Sequence, residues 1–135
     1  MKKNKNPIPT ESELSILNVL WDLGPSTVRT VHDVLNNTRE TGYTTVLKLM
    51  QIMTEKKLVK RDESNRTHIY EATYSKQQTQ RWLLDDMLKK AFGGSPAQLA
   101  NALFEKEKLS KPEFEKLRNE ILALRKMEDD HGELV

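Results

Sequence analysis

The sequence predicts a mainly α chain with one small β-hairpin, built as three helices and a wing followed by three further helices. Three observations predict it. From Gly42 to Lys57 a helix-period stretch carries one apolar stripe and one polar, basic face. A short β run, a charged turn and a second β run follow it directly. Beyond Ser75 the pattern becomes amphipathic helices joined by short loops. Helix-turn-helix proteins present the amino end of such a helix to the major groove. The expected architecture is therefore a winged helix-turn-helix DNA-binding domain over residues 1–74, with 1–9 as a flexible basic arm. A three-helix C-terminal dimerisation region over 75–127 and an acidic tail over 128–135 complete it.

The elements follow in order. Thr10 and Glu13 have capping-box spacing, and Leu14, Leu17, Leu20 and Trp21 supply the stripe of a first helix that Gly24-Pro25 ends. Ser26 or Thr27 caps a second helix whose Val28, Val31, Val34 and Leu35 face inward, and Asn36 to Thr41 reads as a loop. Gly42-Tyr43 opens the third helix, capped by Thr44 or Thr45, with Val46, Leu49, Met50 and Met53 on its buried face. Leu58 to Arg61 and Thr67 to Ala72 are strands around a turn at Asp62 to Arg66. Lys76 to Phe92 is a long helix stopped by Gly93-Gly94, Ser95-Pro96 opens another, and Ser110 with Glu113 caps a last one. The tail from Glu128 is expected to fray.

Composition limits the possibilities. Hydrophobic residues make up 36% of the chain and charged residues 31%, so each half buries only a modest core. The net charge of +2 is too small to argue for nucleic acid, but its distribution is uneven. Residues 42–70 carry Lys48, Lys56, Lys57, Lys60, Arg61 and Arg66 against Glu55, Asp62 and Glu63. From Lys76 onward eleven basic residues face eleven acidic ones. The positive excess lies on the reading element. The absence of cysteine excludes disulfides and thiol chemistry. No apolar run is long enough for a membrane span, so no membrane insertion and a cytoplasmic location are expected. His32, His68 and His131 lack metal-ligand spacing, and no nucleophile motif or phosphate loop is present. Neither a metal, a cofactor nor an enzymatic activity is expected.

The candidate DNA contacts are Tyr43, Thr44, Thr45, Lys48 and Gln51 on the third helix and Arg61 and Arg66 on the wing. Threonine hydroxyls and methyls suit base edges, lysine suits guanine or phosphate, and the wing arginines suit phosphate or minor groove. Tyr43 has two open roles, a hydroxyl on phosphate or a ring packed over the second helix. Lys56 shares the polar face. Trp21 and Trp82 are read as core or interface residues. The candidate dimer seam comprises Leu84, Met87, Leu88, Leu103, Phe114, Leu117, Ile121 and Leu124. Its stripes are too extensive to be covered within one protomer. The rival reading is a winged helix used as a protein-interaction module without specific DNA binding.

These residues carry a resemblance. Thr10-Glu11-Ser12-Glu13 with Leu17, Leu20 and Trp21, Gly42-Tyr43-Thr44-Thr45-Val46, Arg61 to Tyr70, and Phe104 to Ser110 with Leu117-Arg118 resemble the penicillinase-repressor family of bacterial winged-helix regulators (BlaI/MecI type). The resemblance covers almost the whole chain. It implies a homodimeric repressor on a pseudo-palindromic double-stranded operator. In the resistance regulators, cleavage among the C-terminal helices by a membrane sensor protease relieves repression. The candidate cleavage position here is Ala102-Leu103, where those regulators carry Asn-Phe. Copper-responsive relatives need a cysteine cluster that this chain lacks.

Overall fold

The computed structural model describes residues 6–107 and 110–133, with side chains described except at 106–107, 121 and 124–133. The elements are α1 (Glu11–Leu23), α2 (Val28–Thr38), α3 (Tyr43–Glu55), β1 (Val59–Asp62), β2 (Ile69–Ala72), α4 (Lys76–Ala91), α5 (Pro96–Glu107) and α6 (Lys111–Glu133). They form two compact units, Met1–Asp86 and Met87–Val135, divided within α4.

In the first unit, local signals start and stop the helices. Thr10 Oγ1 accepts from the Glu13 N–H at 3.2 Å, and the Thr10 N–H donates to Glu13 Oε1 at 2.9 Å, completing the capping box. Gly24, at φ 85°, ends α1 in a conformation that a side chain would strain. Thr27, and not Ser26, caps α2 by accepting from the Thr30 N–H at 3.1 Å. Neither Thr44 nor Thr45 caps α3: Gly42 is its N-cap, without a side-chain bond, and both threonines lie within the first turn. The expected loop at Asn36 to Thr41 is shorter, because α2 runs on through Thr38. Asn36 Oδ1 accepts from the Thr41 N–H at 3.0 Å, fastening the remaining turn to the end of α2.

α3 ends in a Schellman arrangement. Lys57 takes φ 67°, its N–H donates to the Thr54 carbonyl at 3.1 Å, and the Leu58 N–H donates to the Met53 carbonyl at 2.9 Å. That reversal feeds the chain into β1. β1 and β2 pair antiparallel in the register Val59↔Ala72, Lys60↔Glu71, Arg61↔Tyr70 and Asp62↔Ile69. A third segment joins at the base. The Ser26 N–H donates to the Tyr70 carbonyl at 2.9 Å and the Tyr70 N–H donates to the Ser26 carbonyl at 2.8 Å. The linker between α1 and α2 thus acts as a one-residue strand.

The core holds Ile16, Leu17, Val19 and Leu20 of α1, Val28 and Val31 of α2, and Val46, Met50 and Met53 of α3. Leu58, Val59 and Tyr70 at the wing base complete it. Val34, expected inside, is exposed, because the buried face of α2 runs through Val28, Val31 and Leu35 and leaves Val34 at its edge. Glu13 is buried to 2% exposure, and its Oε2 accepts from Lys56 Nζ at 2.7 Å, joining the start of α1 to the end of α3. Burial alone would raise its pKa. The Lys56 ammonium and the Thr10 N–H outweigh that and hold the carboxyl below its usual range.

The unit extends past Tyr74. Ser75 Oγ accepts from the Gln78 N–H at 3.1 Å to cap α4, and Thr79 is buried. Trp21 Nε1 donates to the Tyr74 carbonyl at 3.0 Å, and the Tyr74 and Trp82 rings meet edge-on at 5.0 Å. Both tryptophans therefore serve packing around Tyr74.

The second unit is thinner. Gly93 and Gly94 take positive φ and end α4, and Ser95 caps α5 with Pro96 in its first turn. Ser110 and Glu113 make a second capping box. Phe104 and Phe114 meet edge-on at 5.2 Å. Among the described residues from Met87 onward, no side chain is buried. α6 continues through Glu133, so residues 128–133 of the expected frayed tail are helical, and 134–135 lie outside the described residues.

Candidate nucleic-acid interface

The interface builds from the periodicity of α3. Burying Val46, Met50 and Met53 turns Thr44, Lys48 and Gln51 outward, one above the other, with Thr45 beside them, and all four are exposed. Because neither threonine is used as a cap, both hydroxyls remain available for external partners. Lys56, expected on the same face, is instead held by Glu13.

Tyr43 takes the packing role and keeps part of its ring exposed. The Arg29 guanidinium carbon lies 4.7 Å from its ring centroid, and the His32 ring meets it edge-on at 5.7 Å. His32 Nε2 lies 2.8 Å from the Thr41 carbonyl and Nδ1 lies 3.1 Å from Asp33 Oδ1. Those contacts fasten the turn before α3 to α2.

On the wing, the two candidate arginines differ. Arg61 Nε donates to Glu63 Oε2 at 2.7 Å, so its charge is already matched. Asp62 Oδ1 accepts from the Ser64 N–H at 2.9 Å, and that bond holds Asp62 below the usual carboxylate range. Arg66 is exposed and has no carboxylate partner among the described residues. It lines a groove of about 270 Å³ with Thr27, Arg29, Tyr43, Thr67 and His68. The wing thus brings Arg66 beside the start of α3, whereas Arg61 is engaged at the wing itself. Arg29 was not signalled by sequence, since a lone cation early in a helix looks like any solvated charge.

The candidate seam residues lie on α4, α5 and α6. Leu84, Met87 and Leu103 are exposed, while Leu88, Phe114 and Leu117 are half-buried. The side chains of Ile121 and Leu124 lie outside the described residues. Ala102 and Leu103 are inside α5. Among the described residues, no three His, Asp or Glu side chains are grouped to hold a metal ion. No helix among them is long and apolar enough to cross a membrane.

The family profile described as "Penicillinase repressor" matches residues 9–123. The chain belongs to the penicillinase repressor family. Relatives described as "Transcriptional regulator BlaI", from two strains of Mycobacterium tuberculosis (CDC 1551 / Oshkosh and ATCC 25618 / H37Rv), are each 31% identical over 121 residues. Each match covers 89% of this chain and 85% of the relative. A solved structure, "Solution structure of the DNA binding domain of the repressor BlaI", matches 56% of this chain and 93% of its own, at 17% identity and a TM-score of 0.49. Family membership spans both units, since the matched residues run from the capping box of α1 into α6.

Proposed function

We propose that the protein is a transcriptional repressor that binds a pseudo-palindromic operator as a homodimer, with α3 of each protomer in a major groove. The observation that carries this reading is the exposed face of Thr44, Thr45, Lys48 and Gln51, backed by a buried stripe and flanked by Arg29 and Arg66. Threonine and glutamine supply donors and acceptors for base edges, and the cations supply salt-dependent affinity. Membership of the penicillinase repressor family and the similarity to BlaI regulators support it. Two further features support the dimer: no described side chain from Met87 onward is buried, and Met87, Leu103 and Phe104 are exposed. Pairing two protomers covers such a surface, and joining two half-site contacts raises affinity through effective concentration.

For relief of repression, the position at which the resistance regulators carry Asn-Phe reads Ala102-Leu103 here, a departure that sets cleavage by a membrane sensor protease apart from the operator reading. That bond lies within α5, so a protease acting there would need the helix to unwind locally first.

The test is enrichment of duplexes from a random pool, followed by titration of the selected duplex against salt. A selected palindrome bound by two protomers, with affinity falling as salt rises, is the expected result. A protein that enriches no sequence is instead a protein-interaction module.

A further inference from the structure

We propose that the groove between α2 and the wing seats one backbone phosphate of duplex DNA between Arg29 and Arg66, with Tyr43 holding Arg29 in place. The proposal rests on the DNA-binding reading and adds to it a contact outside the reading helix.

Three observations carry it. First, Arg29 and Arg66 come from elements far apart in sequence yet line the same groove, beside Thr27, Thr67 and His68. No carboxylate side chain lines this groove. Second, the two acids of the wing turn are already engaged, and Glu71 of β2 does not line the groove. Glu63 accepts from Arg61, Asp62 from the Ser64 N–H, and Asp33 faces His32. Neither Arg29 nor Arg66 has a carboxylate partner among the described residues. Third, Arg29 is not a freely waving cation. Its guanidinium lies over the Tyr43 ring, and Tyr43 is the first residue of α3. A stacked guanidinium loses less freedom when it binds an oxyanion, and its fork suits two phosphate oxygens.

The geometry gives the contact a purpose. A phosphate gripped there would be fixed to α2, the wing and the first residue of α3 together, and so would set where Thr44 and Thr45 meet the bases. Tyr43 is a positioning residue here, acting through Arg29.

A phosphate contact carries no sequence preference, so a random-sequence duplex of about 30 base pairs is a sufficient probe. Full-length protein is titrated with it by fluorescence anisotropy over a range of salt concentrations. Arg29→Gln and Arg66→Gln should each weaken binding about tenfold, and each should flatten the slope of log K against log salt by about 0.9. Because both grip one phosphate, the double variant should bind little worse than the weaker single. Tyr43→Ala should cost about two- to fivefold in the wild-type background and nothing further in Arg29→Gln. Thermal unfolding of each variant monitors the fold, and Arg29→Lys, keeping the charge without the planar stack, should fall between wild type and Arg29→Gln.

An Arg29→Gln protein with wild-type affinity and slope would overturn the proposal while leaving the α3 reading standing. Additive losses in the double variant would overturn it too, by showing separate contacts. A wild-type protein that binds no duplex at any salt concentration would remove the DNA-binding reading itself, and this site with it.

Discussion

The same local signal, a hydroxyl residue followed three positions later by glutamate, begins a helix in each unit of this protein, but the two boxes lead different lives. At Thr10–Glu13 the carboxylate is buried and also accepts from Lys56, so a capping motif has become a link between α1 and α3. At Ser110–Glu113 the same bonds form on an exposed surface and reach no other element among the described residues. Both carboxyls are held below their usual range, Glu113 by its bonds to Ser110 alone. The difference teaches that a capping box specifies where a helix starts, not whether the helix belongs to a core. The first unit surrounds its box with packed side chains, whereas the second buries no side chain among its described residues.

The largest expected effect separates the two units outright. A chain ending at Asp86 keeps the α1–α3 core, the wing and the packing of Trp82 on Tyr74. It should remain folded but sediment as a monomer, and its affinity for the selected palindrome should fall by about 10²–10⁴. Leu117→Glu should reproduce the loss in the full chain. A truncated protein that still sediments as a dimer would break the proposed division of labour.

Methionine truncation sharpens the contrast. Met50 is fully buried, so Met50→Ala should cost about 2–5 kcal/mol in urea unfolding. Met87 is 44% exposed within its own chain, and Met87→Ala should leave monomer stability within about 0.5 kcal/mol while weakening the dimer. Equal losses of monomer stability at both sites would mean that Met87 has a core role.

Specificity should depend on one unit only. Thr45→Ala should narrow the gap between selected and random duplexes by about 1–3 kcal/mol, with sedimentation unchanged. Equal loss on both duplexes would make Thr45 a backbone contact.

The smallest effect compares the boxes directly. Glu13 has a depressed folded pKa, so its contribution is present above the unfolded value of about 4.3 and is lost as pH falls through the lower folded value. Glu13→Gln should lower the thermal midpoint at pH 6 by a few degrees, and the gap to wild type should narrow by pH 3. Lys56 is half-exposed, which keeps this contribution to about 1 kcal/mol. Glu113→Gln should leave the unfolding of the first unit unmoved at either pH.

Much of this was legible in the chain. Thr10 with Glu13, Gly24-Pro25, the α3 stripe and the charged turn after Arg61 each carry their information within a few residues, and each appears where expected. What was not legible is held by distant partners or by backbone. Lys56 looks like a reading-face cation until Glu13, 43 residues earlier, is folded against it. Arg29 acquires meaning only beside Tyr43 and Arg66. Asn36 to Thr38 have low helical propensity but continue α2, because the Asn36 side chain serves the Thr41 N–H. In the second unit the helices were readable, but a stripe in sequence does not say whether its cover comes from the same chain.

The pairing of Ser26 with Tyr70 gives the wing two classes of amide. Each of these residues donates one N–H to the other's carbonyl, and Ser26 sits between the end of α1 and the start of α2. Neither proton can meet solvent deuterium unless the wing base parts from the linker, which also disturbs the packing of Tyr70 and Val28. Their exchange should follow the global opening of the first unit. In the turn that links β1 to β2 no such pairing is present, and the amides of residues 63 and 65–68 should exchange orders of magnitude sooner. Bound DNA can therefore slow the tip selectively, and protection appearing there while Ser26 and Tyr70 stay unchanged would register the wing meeting the duplex, residue by residue.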